Sequence, residues 1–119
     1  MELLLVGIGG SLGSLVRYIL GKRIAEKYST TFPVGTFIIN ISGAFLLGIV
    51  SALEPGRSAS LLIADGFLGA YTTFSTFMYE GFNLFEENEK LNAAVYIIGS
   101  LILGIFGYFI GFFLIKTWL

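Results

Sequence analysis

Residues 65–80 read Asp65-Gly66-Phe67-Leu68-Gly69-Ala70-Tyr71-Thr72-Thr73-Phe74-Ser75-Thr76-Phe77-Met78-Tyr79-Glu80. They sit inside a longer apolar stretch, Ser58–Phe82, whose only charges are Asp65 near its start and Glu80 near its end. A helix needs about 20 apolar residues to cross a bilayer's hydrocarbon core, so the stretch is long enough. Its middle is unlike lipid. Gly66 and Gly69 are followed by Thr72, Thr73, Ser75 and Thr76. Glycine permissiveness and hydroxyl bonding to the backbone both weaken a regular helix there. The spacing predicts a break between Gly69 and Thr73 near the bilayer midplane. Unwound backbone at that depth survives only where protein buries it or where it lines a cavity or ion site. Carbonyls freed in this way are natural ligands for a hard cation such as Na⁺.

Outward from this segment, three more runs are long enough to span. Leu3–Val16 is uncharged before Arg17 interrupts it; Tyr28–Leu53 carries no charge over 26 residues, and Leu91–Ile115 none over 25. The sequence therefore predicts one all-α membrane domain over residues 1–119, with spans near 3–21, 33–53, 59–82 and 91–116. Pro33 suits the first turn of the second helix, and Glu54-Pro55-Gly56-Arg57 is a tight polar turn. The first span has no basic n-region and no small-residue cleavage site, so it reads as a membrane helix rather than a secretory signal.

Composition agrees. The 119 residues are 55% hydrophobic and only 13% charged, against roughly 25% in soluble domains. Mean hydropathy is +0.86. A formal net charge of -1 leaves no basic surface for nucleic-acid phosphates. With no His and no Cys, thiol chemistry, zinc fingers and His-based triads are excluded. No nucleophile and base stand together, so the chain does not read as an enzyme. Four spans place both termini on one side with Arg57 and Lys116, and leave Lys22, Arg23, Lys27 and Lys90 on the other. Four against two is a weak orientation bias, which permits insertion in both directions.

Several side chains carry candidate chemistry. Gly9 and Gly13, Ala44 and Gly48, and Gly107 and Gly111 are pairs of small residues one turn apart, a pattern that lets membrane helices approach closely. A four-helix protein of this size cannot enclose a wide aqueous path alone, which points to self-association. Phe74 and Phe77 lie three residues apart among hydroxyls, and a ring's positive edge can hold an anion. Asn40 lies deep in the second span, where its NH₂ is either an anion donor or a bond between helices. Tyr96, Ser100 and Gly104 share one stripe of the fourth span. Arg17 and Glu80 either reach for the interface or shape a charged vestibule that attracts anions.

These residues resemble the CrcB/Fluc family of small fluoride channels over nearly the whole chain. The motifs are Gly9-Gly10-Ser11-Leu12-Gly13-Ser14-Leu15-Val16-Arg17-Tyr18, Pro33-Val34-Gly35-Thr36-Phe37-Ile38-Ile39-Asn40-Ile41-Ser42-Gly43, and Gly66-Phe67-Leu68-Gly69-Ala70-Tyr71-Thr72-Thr73-Phe74-Ser75-Thr76-Phe77. The resemblance implies an antiparallel, dual-topology homodimer in the cell membrane, plasma or inner. It also implies two pores, passive fluoride export that relieves toxicity, and a structural Na⁺ at the dimer centre. By position, Asn40, Phe74 and Phe77 match anion-path residues, and Tyr96 and Ser100 match the start of a polar track on the fourth helix. The backbone carbonyls of Gly69 and Thr72 match the cation ligands. Gly104 stands where that track would continue with a hydroxyl.

The physics suits the resemblance. Fluoride is strongly hydrated, and a pore must replace its water with several weak donors or positive edges. Thr73, Ser75 and Thr76 are available as polar lining of the third span. Two other classes compete. A small dimeric multidrug exporter needs a carboxylate deep in its first helix, and Glu2 lies at the very end of that helix. A scaffold subunit accounts for the glycines but not for Asn40 with the polar third span.

Overall fold

The computed structural model describes all 119 residues and contains only helices. They are α1 (Glu2–Lys27), α2 (Val34–Leu53), α3 (Arg57–Ser60), a π-helical stretch π1 (Leu61–Leu68), α4 (Gly69–Tyr71), α5 (Ser75–Glu86) and α6 (Lys90–Trp118). Of these, α1, α2 and α6 are long and apolar enough to cross a membrane. The remaining polypeptide is one interrupted rod: α3, π1 and α4 run on continuously, the backbone turns extended at Thr72 (φ -81, ψ 157), and α5 resumes at Ser75. The break thus covers Thr72–Phe74, at the carboxyl end of the expected interval, because Gly69 still holds helical dihedrals of φ -60 and ψ -36.

Glycine seams decide how the rods pack. A Cβ at Gly9 would strike the Leu62 carbonyl and one at Gly13 the Phe67 carbonyl, so α1 lies directly against the widened backbone of π1. On the other side of the molecule, Gly48 of α2 meets the Tyr108 carbonyl and Gly111 of α6 meets the Phe45 carbonyl. In lipid, helices associate through such close backbone packing rather than through a hydrophobic drive. Both seams are consumed inside one chain. They bind the bundle, the packing role that this spacing of small residues suggests, while Gly7 and Gly104 face open space.

Two buried clusters fill the interior. Phe77, Leu84, Ala93 and Tyr96 join α5 to α6, with Phe32 and Phe37 packed alongside. Ile39, Leu68 and Tyr71 join α2 to the rod before the break. Large apolar side chains such as Ile105, Phe106, Ile110 and Phe113 face outward along α6, where lipid is their solvent. Helix ends differ from the hydropathy boundaries in an instructive way: α1 continues through Lys22, Arg23, Glu26 and Lys27, since these residues favour helix while leaving the apolar layer. Pro33 precedes α2 rather than entering its first turn, and its carbonyl accepts the Phe37 N–H at 3.1 Å.

Candidate functional site: an interrupted helix pinned by an amide

At the break, Thr73 loses its place in the helical ladder and gains a side-chain partner. Asn40 Nδ2 donates to the Thr73 carbonyl at 2.9 Å, and the Thr73 N–H donates to Asn40 Oδ1 at 2.9 Å. One amide side chain therefore replaces both backbone partners of a single residue. This geometry realises the bond between helices, and one Asn40 N–H is left over for another acceptor. The Thr73 hydroxyl accepts from the Thr76 N–H at 3.3 Å, taking up one of the free donors at the start of α5.

These two diversions have a consequence for the carbonyls upstream. The Thr73 N–H would close a helical turn onto Gly69, and the Thr76 N–H would close one onto Thr72. Both are engaged elsewhere, and no backbone bond outside the helices reaches the Gly69 or Thr72 carbonyl. Two hard oxygen acceptors are thereby freed within four residues of chain.

Around the break, three elements converge. Asn40, Thr72, Thr73, Phe74, Phe77, Ser100 and Leu101 line a hollow of about 260 Å³. The Phe74 and Phe77 rings lie 6.2 Å apart at 47°. They are not equivalent, and they do not share a helix face as the spacing suggests: Phe74 lies in the break itself and is 74% exposed, whereas Phe77 is 6% exposed within α5. Phe77 packs on Tyr96 with centroids 5.2 Å apart. Tyr96 is fully buried, and its hydroxyl lies beside Thr36 without closing a hydrogen bond. Ser100 Oγ, one turn further along α6, is likewise enclosed with no partner. Beyond it Gly104 faces open space.

A second cavity of about 630 Å³ opens on the other side of Thr73, lined by Arg17, Lys22, Thr36, Thr73, Thr76, Glu80 and Glu87 among others. Thr73 belongs to the walls of both cavities. Arg17 makes no ion pair there, but the two cations face two carboxylates, so the vestibule is charge-balanced rather than electropositive. Glu80 accepts a short hydrogen bond from the Thr36 hydroxyl. Thr36 is a partner that sequence reading left unassigned, although a carboxylate in a span calls for one. Ser75 is exposed and lines neither cavity. At the far end of the rod, Glu2 pairs with Arg57 at 2.7 Å on the surface, at the very end of α1.

The fold and the site define a small multi-pass membrane protein, all-helical, with a helix interrupted beside a donor-lined cavity. The chain belongs to the family described as CrcB-like protein, Camphor Resistance (CrcB), whose sequence profile matches residues 4–112. It is 59% identical over 114 residues to "Fluoride-specific ion channel FluC 2" of Clostridium acetobutylicum, covering 96% of this chain and 97% of that one. A relative from Aquifex aeolicus, "Fluoride-specific ion channel FluC", is 41% identical over 114 residues, with 92% of each chain covered. "Fluoride-specific ion channel FluC 1" of Carboxydothermus hydrogenoformans is 40% identical over 119 residues, covering all of this chain and 93% of that one.

Proposed function

We propose that the protein is a passive fluoride channel working as an antiparallel, dual-topology homodimer of four-span subunits. The observation that carries this reading is the pair of enclosed hydroxyls, Tyr96 and Ser100, that have no partner in the protein. A buried donor left unsatisfied costs about 1–3 kcal/mol, and a small anion passing along α6 would supply the missing acceptor. Asn40 contributes its spare N–H, and Phe77 and Phe74 offer ring edges on the opposite wall. Several weak donors in series let an ion enter and leave, which is what conduction requires. Arg17, Thr76 and Glu80 form the entrance from the vestibule, and Thr73 links it to the inner cavity.

In the same reading, the Gly69 and Thr72 carbonyls hold a structural Na⁺ where two subunits meet. The donor set fits: both oxygens are hard, both are released from the helical ladder, and two antiparallel copies would present four. Bound there, the ion supplies a positive charge that joins the subunits. Asn40 and Thr73 hold the break open, and the Thr72 backbone presents its oxygen in extended conformation.

The test is anion efflux from liposomes containing the purified protein, comparing fluoride with chloride. Fluoride-selective efflux is expected; efflux of neither anion from correctly inserted protein would overturn the reading.

A further inference from the structure

Thr72 is held from both sides by about one turn of α2, residues 40–43. On its carboxyl side the Asn40 amide fixes Thr73. On its amino side, Tyr71 is the last helical residue; its ring is buried at 5% exposure and stacks on Phe67 with centroids 6.0 Å apart at 16°. The Tyr71 hydroxyl lies 2.9 Å from Ser42 Oγ. Ser42 spends its own proton on the Ile39 carbonyl at 3.0 Å, so the tyrosine is the donor in that pair. Between the two tethers lies Gly43, where a Cβ would collide with the Thr72 side chain and crowd the Tyr71 ring. Residues 40–43 of α2 thus form a template for the extended backbone at Thr72, holding the residue on each side of it and packing Gly43 against its side chain.

From this we infer that Tyr71 and Ser42 are positioning residues for the Thr72 carbonyl and set the affinity of the site for Na⁺, through the hydroxyl pair rather than through any direct contact with the ion. The inference rests on the cation reading above. An oxygen already fixed in its bound position binds without the cost of ordering a mobile backbone, so loosening one tether weakens binding while leaving the anion path in place.

The experiment titrates Na⁺ against dimer retention in detergent, with choline as the replacing cation, for the full-length parent, Tyr71→Phe, Ser42→Ala and the double variant. Tyr71→Phe keeps the ring on Phe67 and removes only the donor. A tether worth one net hydrogen bond moves the half-saturating Na⁺ concentration up about three- to tenfold. The single variants should give similar shifts, and the double variant should match either single one, because both break the same pair. At saturating Na⁺, fluoride efflux from liposomes should equal that of the parent. An unchanged titration curve for Tyr71→Phe, beside a Na⁺-dependent parent, overturns the inference alone. So does a double variant whose shift is the product of the single shifts, or an efflux deficit that saturating Na⁺ does not repair. A parent whose dimer ignores Na⁺ overturns the cation reading itself, and this inference with it.

Discussion

Replacing Asn40 by Asp tests the centre of the site with the smallest change of shape. Asn40 Oδ1 would survive as an acceptor for the Thr73 N–H, but a carboxylate oxygen would then stand where Nδ2 now donates to the Thr73 carbonyl at 2.9 Å. Two acceptors facing each other leave the carbonyl unsatisfied, at a cost of about 1–3 kcal/mol. The charge has a larger effect on the permeating ion. Taking about 4 Å between carboxylate and anion and an effective dielectric constant of about 20, repulsion amounts to about 4 kcal/mol, or roughly a thousandfold in occupancy. Asn40→Ala separates the two effects, since it breaks both bonds to Thr73 and adds no charge. Fluoride efflux from liposomes, read with a fluoride electrode on protein that elutes as the parent does, should fall further for Asp than for Ala. Asn40→Asp protein that assembles normally and conducts within threefold of the parent would refute the placement of Asn40 on the path.

Phe77→Ile and Phe74→Ile should each reduce fluoride efflux sharply while the elution profile stays that of the parent, because an aliphatic side chain fills space but lacks the ring's positive edge; Leu103→Val, on the exposed side of α6, should leave efflux unchanged in the same assay. Single cysteines placed at residues 87–89, between α5 and α6, should be labelled from both sides of the membrane, and access from one side only would exclude dual topology. Gly48→Val should destabilise the bundle by about 1–3 kcal/mol or more, since its Cβ meets the Tyr108 backbone and α2 and α6 must separate; loss of a monodisperse peak on size exclusion reads this out.

What the sequence made legible follows from which forces are local. Apolar run length revealed the long helices α1, α2 and α6 because lipid thickness imposes it residue by residue. The weak point at Thr72–Phe74 was visible to within three residues, since glycine and hydroxyl effects act on the backbone nearby. The reciprocal bonding of Asn40 and Thr73 was not visible: 33 positions separate the partners, and nothing in either neighbourhood names the other. The same holds for Thr36 with Glu80, where only the need for some partner could be read. The π-helical turns of Leu61–Leu68 left no local mark either. Gly9 and Gly13 make room for them from a different helix. The Phe74 and Phe77 rings lie 6.2 Å apart, but helical spacing hid their difference in exposure, because the break that separates them falls at Phe74 itself.

The seam between α2 and α6 bears on how the chain is made. Synthesis runs from the amino terminus, so α2 leaves the ribosome long before the helix that covers Gly48 and receives the Phe45 carbonyl. Until α6 arrives, α2 is a transmembrane segment with its closest-packing stripe facing lipid or a wrong neighbour. The α1 and π1 pair waits through the synthesis of α2, since Gly9 meets Leu62 and Gly13 meets Phe67, but it can close before α6 is made. Biogenesis thus divides into an early half that can settle before α6 is made and a late half that closes only once α6 has entered the membrane. A chain truncated before Tyr108 would retain α1 through α5 yet offer that uncovered stripe to the membrane's quality-control proteases.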